Sequence, residues 1–373
     1  MGRRLPPPVA KFVSLGMPPF KSILITGGAG FVGANLSVSF KRAYADVRVT
    51  AVDNLKRRGG ELNLPRLRRY GVDFLHGDIR CPEDVDAWPQ YDLLIDCSAE
   101  PSVQAGLHES PLPLLQNNLV GTIHCLESAR RREAAFLFLS TSRVYPIERL
   151  NALPWREEAT RFVWTAENNP PGLSAAGVAE EFPLEGARSL YGATKLSAEL
   201  LIQEFAYSHG MPALINRCGI LTGPRQMGKV DQGVVTLWVA RHLFRRGLRY
   251  IGYGGRGKQV RDMLHVDDLF DLLVLQLEKP ADWRGRIYNV GGGWRISSSL
   301  QELTELCRAA TGNTVPIESV PETSPVDLRI YVTDSRRVEN AYGWRPHRTV
   351  PQIVDDIVGW VRRHEDDLRP IIA

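Results

Sequence analysis

Short apolar runs alternate with longer stretches of helical period through the first 220 residues. Ser22 to Thr26, Val47 to Val52, Val72 to His76, Leu93 to Cys97, Ala135 to Leu139 and Pro212 to Arg217 are rich in Val, Ile, Leu and Phe. Short runs this rich in apolar residues predict strands covered on both faces, as in a parallel sheet. The stretches between them predict helices opening near Gly30 and running to about Tyr44, from about Leu112 to Arg131, and from about Leu190 onward. Strands alternating with helices predict an α/β fold with a doubly wound parallel sheet. After residue 217 the pattern changes. Tyr250 to Gly257 reads as a turn-rich hairpin, and Ile287 to Gly291 as a strand returning to the first sheet. Helices at about Ser299–Ala310, Arg336–Tyr342 and Pro351–Arg363 would complete a smaller α/β lobe. The expected division is 21–217 with 260–292 for the first domain, and 218–259 with 293–373 for the second. Residues 1–20, with Arg3-Arg4 and five prolines, read as a disordered extension, and Met17 is an alternative start.

Composition narrows the class. At 43% hydrophobic and 24% charged residues the chain is that of a soluble globular protein, long enough for a large core. A net charge of +4 is too small to suggest nucleic acid. No apolar run approaches the ~20 residues that span a membrane. The five cysteines form no C-x-x-C pair and the histidines no H-x-x-x-H pair. Reduced cytosolic thiols and no metal site are expected.

The chemistry sits at strand ends. The first strand runs into Gly27-Gly28-Ala29-Gly30-Phe31-Val32-Gly33, a helix follows, and the second strand ends at Asp53. Strand, glycine turn, helix, strand and acid in this order is the context of a dinucleotide site on a Rossmann-type sheet. Gly27 and Gly30 let the backbone approach a pyrophosphate at the helix N-terminus, and Gly33 lets the helix pack on its strand. Asp53 suits the ribose hydroxyls, which favours NAD over NADP. The Lys56-Arg57-Arg58 run tempers that preference, since it could sit near a 2′-phosphate. Phe31, Val32, Asn54, Ala99 and Asn118 join the candidate cofactor contacts. The Asp78-Ile79 pair could flank an adenine, or Asp78 is a plain loop acid. Tyr191 and Lys195, four apart, share one face of a helix. An ammonium beside a phenol would lower the phenol's pKa and suit it to proton transfer. A chance pair on an amphipathic helix would look the same, and Thr141 read alone is a strand-end cap.

The glycine run, Ser140-Thr141-x-x-Val144-Tyr145 and the Tyr191-x-x-x-Lys195 pair, in this order, resemble the extended short-chain dehydrogenase/reductase superfamily, and within it the nucleotide-sugar epimerases. The resemblance implies Thr141 as the hydroxyl on the reacting sugar oxygen, Tyr191 as acid/base, and Lys195 on the nicotinamide ribose. Dehydratases of that superfamily carry Asp-Glu after this Thr; here Ser142-Arg143 follows. That departure favours oxidation and re-reduction over elimination of water. The resemblance further implies a nucleotide-sugar site holding Arg143, Gln226, Asp231, Gln232, Arg261 and Arg329, with Arg261 on the diphosphate, and a homodimer or homotetramer. The Asp231-Gln232-Gly233 turn, Gly257 to Asp262 and the long 146–190 insertion are similar to the CDP-paratose 2-epimerase (CDP-tyvelose epimerase) subgroup. Its members oxidise the sugar at C2, keep NAD bound, and return hydride to the other face. Nothing in the residues reads cytosine, and a 4-epimerase of a UDP- or dTDP-hexose would use the same catalytic set. A net reductase would share the fold too, as would a dinucleotide sensor without catalytic activity. The insertion is expected to fold over the site as a lid, or else to be a passive surface addition.

Overall fold

The computed structural model describes residues 19–165, 169–229 and 232–372. Most of the expected N-terminal extension, and Asp231, lie outside the described residues.

Each apolar run forms a strand. Seven strands make one all-parallel sheet in the order Arg286–Val290, Ala213–Cys218, Ala135–Thr141, Leu93–Asp96, Ser22–Thr26, Arg48–Asp53, Asp73–His76. Sequence order reverses between Ser22–Thr26 and Leu93–Asp96, so the crevice beyond their C-terminal ends is the switch point where such sheets bind ligands. Alternation along the strands feeds two cores. Ile23, Ile25, Val49 and Leu137 face helices Phe31–Ala43 and Val266–Leu277, where Phe40 meets Phe270 edge-on at 5.1 Å. Leu24, Leu94, Phe136 and Phe138 face helices Gly121–Arg131 and Leu190–His209.

The expected helix over Leu112 to Arg131 has a π turn at Gln116–Val120, between Leu112–Leu115 and Gly121–Arg131. Asn118 lies in that turn, fully buried. Its amide accepts the Glu100 N–H at 2.7 Å and donates to the Glu100 carbonyl at 3.0 Å, which pins the loop after the fourth strand.

A smaller sheet carries Ile220–Thr222, Val260–His265, Ser297–Ser299 and Ile330–Tyr331, with Val260–His265 pairing all three others. Residues 260–265, expected to return with 266–292 to the large sheet, pair here instead. The stretch Tyr250 to Gly257 is not a hairpin. Leu248–Ile251 pairs in parallel with Ile317–Val320, and a short 3-10 turn follows at Tyr253–Gly255. Glycines in that run read as a hairpin turn, but the strand's partner lies far along the chain. Helices Val234–Leu243, Leu300–Thr311 and Val350–Arg363 pack around Trp238, Leu303, Ile353 and Ile357. A last helix, Glu365–Ile372, was not expected from the pattern.

The 146–190 insertion is not a lid. Its helix Ile147–Asn151 and its hairpins Trp155–Glu157 with Phe162–Trp164 and Leu173–Ser174 with Gly177–Val178 pack behind the substrate wall. Leu150, Leu173 and Phe182 cluster with Leu328 and Tyr331, and Phe162 with Val260 and Ile330. None of its described residues lines the central cavity. Leu150, Phe162, Leu173 and Phe182 are thus spent on packing against the smaller sheet and not held over a ligand. Among the described residues no helix is long and apolar enough to cross a membrane.

Candidate active site

The glycine loop is built for close approach. Gly27 takes φ +60°, and a Cβ on Gly33 would stand 2.2 Å from the Gly27 carbonyl oxygen. Only glycine lets the helix start that near the strand. Gly30 is the N-cap of Phe31–Ala43 with no side chain bonded to the free N–H groups. Bare amides at a helix N-terminus fit a pyrophosphate. Asp53 accepts the Ala29 N–H at 3.1 Å and the Leu55 N–H at 2.8 Å. A carboxylate has about four acceptor positions, so Asp53 braces the loop and retains capacity for ribose hydroxyls.

The adenine-side expectations meet a different arrangement. The Asp78 carboxylate is held by Arg80 and by Asn54 at 2.9 Å, and Arg80 holds it well below the usual carboxylate range. The Ile79 side chain is buried in the core beside Leu24 and Val52. Asp78 is thus a braced acid, as Asp53 is.

At the switch point opens a cavity of about 700 Å³. Phe31, Val32 and Ala99 line it, with Thr141, Arg143, Tyr191 and Lys195. Gln226, Gln232 and Arg261 line it too. The structure thus brings the three candidate catalytic residues and most of the substrate candidates together. Gln226 is committed: its carbonyl accepts from Thr222 and Thr236, both at 3.2 Å, and its amide donates to Leu221. Arg261 pairs with Asp327 at 2.8 Å, and both face the cavity. Arg329 does not line it. Its guanidinium is stacked 4.0 Å from the Trp155 ring and 5.0 Å from that of Tyr253. Once the insertion docks, this arginine is enclosed by aromatic faces and turned from the substrate side.

The helix Leu190–His209, which carries Tyr191 and Lys195, is capped by the Ser189 hydroxyl, which accepts the Gly192 N–H at 3.1 Å. A Cβ on Gly192 would meet the Arg143 carbonyl oxygen at 2.1 Å, so glycine lets the helix abut the Thr141 turn. Thr141 ends its strand and caps the 3-10 turn Ser142–Val144 by accepting the Arg143 N–H at 3.2 Å. Cap and cavity-facing hydroxyl are one residue.

Burial pushes the Tyr191 phenol up to about 12, while the Thr141 hydroxyl and the Arg143 charge act in the opposite direction. Lys195 was expected to lower this phenol. Its ammonium instead donates to the Leu139 carbonyl at 3.0 Å and lies 4.3 Å from the centre of the Phe138 ring. Burial lowers the ammonium's own pKa. Desolvation outweighs the benefit expected from an i, i+4 neighbour.

Beneath the trio lies a fully buried network. Glu199 accepts from the Ser140 hydroxyl and pairs with Arg217 at 2.6 Å; Arg217 donates to the Tyr145 hydroxyl, which donates to Asn289. It ties three strands to the catalytic helix. Cavity residues not anticipated from sequence include Arg241 and Arg249. Arg241 and Arg249 carried no motif; the Ser297-Ser298-Ser299 run, two of whose residues line the same cavity, was a visible signal. Among the described lining residues Arg143, Lys195, Arg241, Arg249 and Arg261 oppose one carboxylate, Asp327. Such a cavity concentrates anionic ligands. Among the described residues, the one acid and histidine cluster able to hold a cation is Asp268, Asp271 and His347. It lies away from the cavity, with Arg348 on Asp268 and Asp271.

Residues 23–291 match the model of the NAD dependent epimerase/dehydratase family. The chain is similar to the CDP-paratose 2-epimerase of Salmonella typhi, 29% identical over 91% of this chain and 98% of that protein. It is similar also to a dTDP-glucose 4,6-dehydratase of Actinoplanes sp., 31% identical over 91% and 97%. Among solved structures, the UDP-glucose 4-epimerase of Thermotoga maritima superposes with a TM-score of 0.73, covering 92% of this chain and 99% of that one at 24% identity. The UDP-glucuronic acid 4-epimerase of Bacillus cereus, in complex with UDP-glucuronic acid and NAD, gives 0.75 over 92% and 99% at 21% identity. The matched span runs from the first strand of the large sheet to just past its last, and takes in the glycine loop, Thr141, Tyr191 and Lys195: the chain belongs to the NAD dependent epimerase/dehydratase family.

Proposed function

We propose that this enzyme epimerises a nucleotide sugar by transient oxidation, and that its reaction is at C2 of a CDP-hexose of the paratose/tyvelose type. The observation that carries epimerisation is the reacting end of the cavity: Thr141 and Tyr191 stand there, and the turn that follows Thr141 offers Ser142 and Arg143 where elimination would call on acids. Bound NAD supplies the hydride acceptor and donor. Tyr191 takes the hydroxyl proton at its phenol oxygen and later returns it, with the Thr141 hydroxyl on the same sugar oxygen. Lys195 holds the nicotinamide ribose. The Arg261–Asp327 pair, with Arg241 and Arg249, faces the nucleotide diphosphate, while the sugar end is left free to turn over. Similarity to the Salmonella typhi protein supports the CDP-sugar and C2 assignments.

The test is a screen of CDP-, UDP-, GDP- and dTDP-hexoses without added cofactor, read by product NMR in deuterated water. A C2 epimer of a CDP-hexose, with no solvent deuterium at the inverted carbon, is expected. Deuterium at that carbon overturns the oxidation route. A C4 epimer of a UDP- or dTDP-hexose replaces the C2 assignment.

We further propose a homo-oligomer. Among the described residues, six of the eight large exposed hydrophobic side chains, Leu112, Val120, Ile123, Leu190, Leu200 and Tyr207, lie on the adjacent stretches Leu112 to Arg131 and Leu190–His209. An apolar face of that kind fits a second copy.

A further inference from the structure

The chain from Asp53 to Asn63 leaves the glycine loop and comes back to it. At one end the Asp53 carboxylate accepts the Ala29 N–H at 3.1 Å. At the other the buried Asn63 amide donates to the Ala29 carbonyl at 2.9 Å. Both ends hold the same residue of the glycine run, so the segment is a closed surface loop of the Ω kind. Between its ends it meets the smaller lobe. The Arg57 guanidinium donates to the Met227 carbonyl at 3.1 Å. Gly59 takes φ +94°, and a Cβ on it would stand 2.7 Å from the Met227 Cγ. Leu62 packs against the core cluster that holds Met227, Val235 and Trp238. Met227 is a firm post for these contacts. It is buried and follows Gln226, whose side chain is held by Thr222, Thr236 and the Leu221 carbonyl. Arg57 is the middle of the basic run that could have sat near a 2′-phosphate. Lys56 and Arg58 are exposed, while Arg57 is half-buried and reaches the smaller lobe.

We propose that residues 53–63 are a strap that retains NAD between turnovers, and that Arg57, Gly59 and Leu62 fasten it to the substrate lobe. The strap begins at the acid suited to the adenosine ribose and ends on the loop suited to the pyrophosphate. Opening the crevice between the lobes breaks the Arg57–Met227 hydrogen bond and draws Leu62 out of an apolar core, so release of the cofactor is opposed by both. The inference rests on the proposed oxidation and return of hydride, and adds the residues that hold the cofactor through it. An enzyme that returns its hydride to the same sugar has no use for exchange in mid-cycle. A net reductase must exchange NAD at every turnover, and a fastened strap would slow it. Arg57 and Leu62 are positioning residues in this scheme and take no part in the transfer itself.

The experiment follows exchange of bound NAD for carbon-14 NAD in the purified holoenzyme, with no sugar present. Arg57→Ala and Leu62→Ala should each exchange at least about fivefold faster than the unaltered enzyme. The double variant should fall short of the product of the two effects, because one lost fastening already frees the strap. Arg57→Lys, which can still donate to the Met227 carbonyl, should exchange near the original rate. After dilution the turnover of Leu62→Ala should depend on added NAD, and that of the unaltered enzyme should not. If Leu62→Ala does not fold, Met227→Ala takes its place, since it removes the side chain that covers Gly59. Faster exchange in Arg57→Ala alone, with Leu62→Ala or Met227→Ala at the original rate, makes Arg57 a direct grip on the cofactor and overturns the strap. Unchanged exchange in every variant overturns it as well. Product NMR keeps the two readings apart. Unchanged exchange in an enzyme that epimerises without solvent deuterium sinks the strap alone; deuterium at the inverted carbon sinks the oxidation route whatever the exchange rate.

Discussion

Thr141 carries two duties on one hydroxyl. It accepts the Arg143 N–H as a cap and stands in the cavity beside Tyr191. Thr141→Val should therefore cost about 1 kcal/mol of stability through the lost cap. It should lower kcat about 10²- to 10³-fold through the lost donor. Thermal unfolding and steady-state kinetics separate the two, and Thr141→Ser should recover most of both. A kcat loss below tenfold would leave Thr141 as a cap. At this scale the sequence was informative where a motif ends a strand or opens a helix, because those positions must face the switch point. Gly27, Thr141, Tyr191 and Lys195 could be read in that way. The sense of the Tyr191 perturbation could not, because desolvation depends on everything packed around the ring. Arg329 was misplaced for a related reason: which arginine meets phosphate and which meets tryptophan depends on how the insertion docks.

The Glu199–Arg217 pair belongs to the scale of elements, since it joins the catalytic helix to the strand Ala213–Cys218. Both side chains are about as buried as any in the molecule, 1% and 3% exposed. Removing one charge strands the other, at about 3 kcal/mol or more. Glu199→Gln should lower the denaturation midpoint accordingly, whereas breaking an exposed pair such as Arg130–Glu127 by Glu127→Gln should leave it nearly unmoved. Midpoint shifts of equal size in the two variants would contradict this ranking. The insertion works at the same scale. Asn151 donates to the Asp327 carbonyl at 3.0 Å and accepts the Arg329 N–H at 2.9 Å, so the segment read as a lid braces the strip that carries Asp327. The strands of the large sheet were legible because each is a short run rich in Val, Ile, Leu or Phe. The insertion's two- and three-residue strands carry no period, and their partners lie on other elements.

For the whole molecule, a doubly wound parallel sheet follows from alternating strands and helices, and these were legible in the first 220 residues; the order of its strands came from the structure. The apolar face on the paired helices was not, because a helix buried on two sides and one awaiting a partner share the same pattern. Leu200 is 61% exposed and Tyr207 89%. Leu200→Asp combined with Ile123→Asp should convert the oligomer to monomer in light scattering. The large sheet should stay intact, since neither side chain enters its core. An oligomer of unchanged mass would place the interface elsewhere.

The order of strands in the large sheet also sets a timetable for synthesis. Ala213–Cys218 is buried along its whole length in the finished molecule, and one of its two neighbours is Arg286–Val290. A growing chain that has reached residue 259 holds Thr141, Tyr191 and Lys195, yet its sheet ends in an apolar strand with an open edge. Such an edge pairs with whatever strand comes near. Val290 must leave the ribosome before the edge is sealed, and Asp327 before the substrate wall exists. The cofactor half is therefore not a module completed first and decorated later. Catalysis and protection from aggregation both wait on the last quarter of the chain.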